Sequence, residues 1–165
     1  MRRGLVASVA AIVACAAGLW FWASSGPSGA REIERRLNDL VEELNAGTTE
    51  GMGTIARVGK IGQFFTTDVI VDLGKGSPPI HGRDTLMGMA ARLQPRTAAF
   101  VLEVADVSVE LREDGRAGVT LTLMIRQRSF GSGEESLDAR ELALEVVRSD
   151  GEWRINRVTA IDTFR

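Results

Sequence analysis

Residues Leu142 to Phe164 read LALEVVRSDGEWRINRVTAIDTF. Two runs rich in apolar and β-branched residues flank Ser149-Asp150-Gly151-Glu152. Asp-Gly between such runs predicts a β-hairpin, because a tight primed turn needs φ > 0 and glycine adopts it freely. Before the turn, Leu142, Leu144 and Val146 share one strand face and Glu141, Ala143 and Glu145 the other. After it, Trp153 and Ile155 begin an apolar face whose phase then moves to Val158, Ala160 and Phe164. A change of phase inside a strand predicts a bulge, and bulges bend sheets.

The strands upstream carry the same signals. Ala99 to Leu111 reads as a strand with Phe100, Leu102 and Val104 on one parity and Val107, Val109 and Leu111 on the other, which predicts a second bulge at Ala105-Asp106. Glu113-Asp114-Gly115-Arg116 is a hairpin turn. Ala117, Val119, Leu121, Leu123 and Ile125 then alternate with polar or smaller residues, as in a half-buried strand. Arg126 and Arg128 are expected on the outer sheet face. Phe64 to Leu73 reads as a strand entered through a turn at Thr66-Thr67-Asp68, and Gly74 to Pro79 as a loop. Thr85 to Leu93 reads as a short helix with Asp84 as its N-cap, ended by Pro95. Arg31 to Asn45 has apolar positions at Ile33, Leu37, Leu40, Val41 and Leu44, an amphipathic helix stopped by Ala46-Gly47. Met52 to Ile61 reads as a second, glycine-weakened helix.

The first residues are of another kind. Gly4 to Ala23 is a run of twenty residues without a charge, long enough to cross a hydrocarbon core of roughly 30 Å. Arg2 and Arg3 precede it, and Trp20, Phe21 and Trp22 cluster at its far end. The positive-inside rule and the interfacial preference of aromatics then predict one uncleaved span, with the folded part on the periplasmic, extracytoplasmic side of the inner membrane. Two other readings stand beside it. Ala23-Ser24-Ser25 offers a signal-peptidase site, and Ile12-Val13-Ala14-Cys15 resembles a lipoprotein box; the apolar run exceeds what either needs. The domain plan is therefore 1–23 cytoplasmic stub and anchor, 24–30 linker, and 31–165 folded domain.

Charge and cysteine content exclude several functions. Arg2 and Arg3 account for two of the 20 basic residues and all 22 acidic ones follow the apolar run, so the rest of the chain carries a net charge of −4. No run of Lys and Arg supplies a nucleic-acid footprint. The single cysteine, Cys15, lies in the apolar run, so the folded part has no disulfide and no thiolate metal site. No metal and no cofactor is implied.

Helix, second helix, strand, short helix and a four-strand antiparallel meander with bulges make an α+β plan. The order resembles the nuclear transport factor 2-like superfamily, which includes SnoaL-like cyclases and ketosteroid isomerases. The residues carrying the resemblance are Leu44-Asn45-Ala46-Gly47, Phe65-Thr66-Thr67-Asp68, Gly82-Arg83-Asp84-Thr85-Leu86 and Asp150-Gly151-Glu152-Trp153-Arg154-Ile155, over Arg31 to Arg165. The resemblance implies a cystatin-like cone, in which a curved mixed or antiparallel sheet wraps the N-terminal helices around an apolar cavity. It also implies dimerisation, or docking of a partner protein, through the outer sheet face.

Members resembling ketosteroid isomerase use a carboxylate base with a tyrosine and a neutral acid. This chain has no tyrosine. The base position falls near Asp72-Leu73 and the acid near Ala143, so that machinery is not carried over. The candidate catalytic residues are Asp72, His81, Asp106 and Asp162. Each has a plainer reading: a surface carboxylate for Asp72, a loop-shaping or solvent-facing side chain for His81, an outer-face or edge position for the other two. Phe64, Phe65, Phe100, Trp153 and Phe164 are candidates to line a cavity for a small apolar ligand, or are ordinary core. One histidine and no tyrosine offer no spaced acid–base pair. The sequence thus favours a non-catalytic binding or assembly module for a partner protein or small apolar ligand. The alternative is a SnoaL-like enzyme of isomerase, cyclase or hydrolase type acting on a small apolar substrate.

Overall fold

The computed structural model describes residues 28–46, 52–74, 76–92, 98–129 and 135–161. These form helices α1 (Ser28–Asn45), α2 (Met52–Gly62) and α3 (Arg83–Arg92), and strands β1 (Phe65–Asp72), β2 (Ile80–His81), β3 (Ala98–Leu111), β4 (Arg116–Ser129), β5 (Glu135–Ser149) and β6 (Glu152–Ile161). The hairpin of β5 and β6 turns at Asp150 (φ 54°) and Gly151 (φ 82°), between the paired Ser149 and Glu152. Positive φ at both central residues makes this a primed turn, matched to the twist of the strands. At the β3–β4 turn, the Arg112 N–H donates to the Arg116 carbonyl at 2.8 Å.

Both bulges stand where the hydrophobic phase changes. The β3–β4 register shifts between Ala105 and Ser108, with Asp106 at φ 52°. The β5–β6 register passes from Glu145 opposite Arg157 to Val146 opposite Ile155, leaving Asn156 as the extra residue. Each extra residue returns the apolar side chains that follow it to the face they had left.

The sheet order is β2-β1-β6-β5-β4-β3. The meander β3 to β6 is antiparallel as expected, but β1 runs parallel to β6, so the sheet is mixed. The strand order also makes β6 the link between β1 and the meander. Thr66-Thr67-Asp68, read as an entering turn, lies instead within β1 as an irregularity of the β1–β6 register between Phe65 and Ile70. His81 sits in β2, a two-residue strand against Ile70 and Val71 that no sequence pattern marks. Helix α3 begins at Arg83, with the Leu86 N–H bonded to the Gly82 carbonyl at 3.1 Å. Gly82 at φ +84° therefore starts the helix, and Asp84 lies in the first turn instead of at the N-cap. There its charge still favours the positive end of the helix. Ser28 to Ala30, read as linker, are the opening turn of α1.

One helix face and one sheet face make the core. Ile33, Leu37 and Leu40 recur at helical spacing and are buried with Val69, Val71, Ala117, Val119, Leu121, Leu144, Val146, Trp153 and Ile155. Full burial of a side chain such as Ile33 or Val69 contributes about 1.5–3 kcal/mol. Asn45, at the C-terminus of α1, closes the free edge of β3. Its Oδ1 accepts the Leu102 N–H at 2.8 Å and its Nδ2 donates to the Leu102 carbonyl at 2.7 Å. The amide replaces a neighbouring strand on an edge that otherwise presents open backbone groups. Among the described residues no helix is long and apolar enough to cross a membrane. Residues 4–23, read as the span, lie outside the described residues, as do Asp162 and Phe164.

Candidate functional site

Cross-strand register decides which residues share a face, because paired residues point the same way. On the helix-facing side, Val104 pairs with Leu123, Leu102 with Ile125 and Phe100 with Gln127, and these continue to Arg140 and Asp138 on β5. The outer side carries Ala143 beside Thr120 and Thr159, and Glu145 beside Gly118 and Arg157. The sheet has a hairpin end, with the turns at Gly115 and Gly151, and an open end at Phe100, Gln127 and Leu137.

The aromatic candidates do not form one cavity. Phe64 and Trp153, with Ile33, Arg36, Leu37, Val146 and Ile155, surround a void of about 10 Å³, room for one water at most. Phe65 is buried in the core, and Phe100 is 46% exposed at the open end. Arg36 closes this part of the interior, its guanidinium 4.5 Å above the Phe64 ring and 3.0 Å from Glu152 Oε2. Arg148 lies 5.7 Å from the Trp153 ring. Phe64, Phe65 and Trp153 are therefore packing residues.

The described catalytic candidates face away from that interior. Asp72 pairs with Thr159 and Ile70 with both Arg157 and His81, so Asp72 and His81 share the outer side. Asp72 Oδ1 accepts the Gly74 N–H at 3.0 Å, closing the turn that ends β1. His81 is exposed. Asp106, pushed out by its bulge, receives the Thr122 hydroxyl at 3.4 Å on the outer face. Asp162 falls outside the described residues. No pair of these three is joined in a hydrogen bond of the kind a general acid and base would share.

Three polar groupings escaped the sequence reading. On the helix-facing side at the open end, Arg140 Nε donates to Asp138 Oδ2 at 3.1 Å, opposite Leu123 and Ile125. Both lie two-residue steps before Leu142 on the face already assigned, and their charge ended the apolar pattern that would have marked them. On the outer face, Glu145 lies within 3.7–3.9 Å of Arg112, Arg116 and Arg157, beside a groove of about 340 Å³ that Ser108, Glu110, Thr120 and Thr159 also line. At the hairpin end, the bulged Asn156 donates to Thr66 Oγ1 at 3.2 Å and to Asp68 Oδ1 at 3.4 Å. The Thr66 hydroxyl and then the backbone N–H of Asp68 hold the Asp68 carboxyl below its ordinary value, against desolvation, which raises it, and with a lesser contribution from the Asn156 amide. Among the described residues no three His, Cys, Asp or Glu side chains cluster to hold a metal ion.

Solved structures share this fold. A candidate scytalone dehydratase from Novosphingobium aromaticivorans superposes with a TM-score of 0.64 at 17% identity, covering 81% of this chain and 83% of that one. Aln2 from a Streptomyces species gives 0.66 at 14% identity, covering 82% and 91%. ActVI-ORFA from Streptomyces coelicolor gives 0.63 at 12% identity, covering 79% and 94%. Identities this low establish the architecture alone. None of the curated proteins matches the chain in sequence. The model of the SnoaL-like domain matches residues 54–159, from α2 through nearly all of β6, and the chain belongs to that family.

Proposed function

We propose that this SnoaL-like domain is a non-catalytic assembly module on the extracytoplasmic side of the inner membrane, anchored by residues 4–23. Its protein partner, in the first instance a second copy of the chain, docks on the outer sheet face at the open end. The observation that carries the reading is how the residues divide between the two faces. The interior beneath α1 is packed and apolar, while Asp72, His81 and Asp106 lie outside it. Val101, Leu137 and Ile161 are exposed on the outer face around Met124 and Ala139, interleaved with Glu103, Arg126 and Glu141. Exposed apolar side chains set among charges on a water-facing sheet suit a protein interface, in which polar groups surround the apolar contacts. Light scattering on the full chain in detergent tests this. The Leu137→Asp variant should weaken self-association by about tenfold or more, since one buried leucine contributes more than 1.4 kcal/mol, with an unchanged melting temperature. A wild type that stays monomeric, or a variant that associates as strongly, counts against the proposal.

The Asp138–Arg140 pair favours a second reading, a SnoaL-like enzyme of dehydratase or cyclase type acting on a small apolar substrate at the open end. It sets a carboxylate and its partner beside the apolar residues of the helix-facing side at the open end. The name of the Novosphingobium neighbour suggests scytalone and related compounds as probes. Methyl NMR separates the two. Such compounds shifting Leu123, Ile125 and Leu142 support the enzyme, whereas concentration-dependent shifts confined to Val101 and Leu137 support assembly.

A further inference from the structure

We propose that the hairpin end is the lipid-facing pole of the domain, resting on phospholipid headgroups, and that the open end is presented to the aqueous compartment. The inference rests on the anchored reading above and adds an orientation to it. Helix α1 enters the domain at the hairpin end: a methyl group at Gly29 would stand 3.3 Å from Leu111 Cδ1 and 3.5 Å from Trp153 Cζ2, residues that flank the two turns. The same helix ends at Leu102, toward the open end. Eighteen helical residues rise about 27 Å, and the nine steps from Leu111 back to Leu102 span about 30 Å of strand. Helix and strand therefore run side by side from one pole toward the other.

The tether is short on this scale. Between Ala23 and Ser28 lie four residues, whose fully extended reach is about 18 Å. The hairpin end is thus confined near the bilayer surface, whereas the far end of the 14-residue β4 stands about 43 Å along the strand from its start. Lying on its side would bring either α1 or the sheet face against lipid. The exposed side of α1 carries Arg31 and Arg35 together with Glu34, Asp39 and Glu42, so it offers anionic headgroups no net attraction. The hairpin end carries both signs in matched pairs, Arg116 with Asp114 at 3.4 Å and Arg154 with Asp150 at 3.3 Å. Alternating guanidinium and carboxylate groups complement the phosphate and ammonium of zwitterionic headgroups, so contact at this pole needs no anionic lipid.

Spin labels on the full chain test the orientation. In a Cys15→Ala background, single cysteines at Glu113→Cys in the hairpin-end turn and at Gln127→Cys at the open end carry a nitroxide, with the protein in phosphatidylcholine vesicles. A paramagnetic chelate attached to lipid headgroups should relax the Glu113 label several-fold more than the Gln127 label. Equal relaxation, or a stronger effect at Gln127, overturns the orientation. An alkaline carbonate wash of the same vesicles separates the two levels of inference. Retention of the chain with the labels reversed leaves the anchor standing and sinks the orientation; release of the chain removes both.

Discussion

Asp68 is the residue whose environment reads most directly as a measurable property. Its carboxylate accepts hydrogen bonds from the Thr66 hydroxyl, its own backbone N–H and the Asn156 amide, and its pKa in the folded chain is lowered. A folded-state pKa below the unfolded one contributes stability above the unfolded value, which is lost as pH falls through the folded value. Asp68→Asn should therefore melt below wild type near neutrality. The difference should narrow as pH falls from about 5 to about 3, through the ordinary carboxylate range. A gap that stays constant over that interval would mean that the carboxylate charge is not what the Thr66–Asn156 pair stabilises. The group is exposed, so the effect is small and best followed by carboxyl NMR titration. Nothing in the sequence singled out this trio, because Thr66 and Asn156 are ninety residues apart and meet only through the parallel pairing of β1 with β6.

Among the elements, what was legible and what was not separate along one physical line. The bulges at Asp106 and Asn156 could be read because a register slip must move the apolar side chains from one parity to the other. The Asp150-Gly151 turn could be read because few residues accept its backbone. The parallel β1–β6 pairing could not, since a strand buried on one face shows the same pattern whichever way its neighbour runs. Strand β2 is too short to carry any period, and Asp138 and Arg140 break the alternation that would have assigned them. Asn45 stands in the sequence as the last helical residue and as part of a family resemblance, whereas its role is to pair the β3 edge at Leu102. At about 0.5–1.5 kcal/mol net per hydrogen bond, Asn45→Ala should lose about 1–3 kcal/mol in denaturant unfolding. Amide exchange at Leu102 should accelerate in the same variant. Unchanged exchange there would show that another group covers the edge.

At the scale of the whole molecule, β6 joins two parts that are otherwise weakly connected. Strands β3 to β5 pair with their sequence neighbours, and β1, with β2 at its side, reaches the sheet through β6. The Ile155 N–H donates to the Phe64 carbonyl at 2.8 Å, and Phe65 stands opposite Ile155, so the closing contact spans ninety residues of chain. β6 also supplies Trp153, Ile155 and Val158 to the core beneath α1. A chain ending at Ser149 keeps three long strands but loses the apolar row that joins α1, β1 and β5. It should show no cooperative thermal transition by near-ultraviolet circular dichroism, although β3–β5 hairpin content persists in the far ultraviolet. A sharp melt in that truncated chain would mean that α2 and α3 hold β1 against the sheet without β6. The pairing that closes the fold is thus its longest-range one, a contact whose loop-closure entropy must be met before it stabilises anything. Variants that weaken it, such as Ile155→Ala, should slow refolding as well as speed unfolding if the β1–β6 contact forms in the transition state; a change confined to unfolding would put that contact after it.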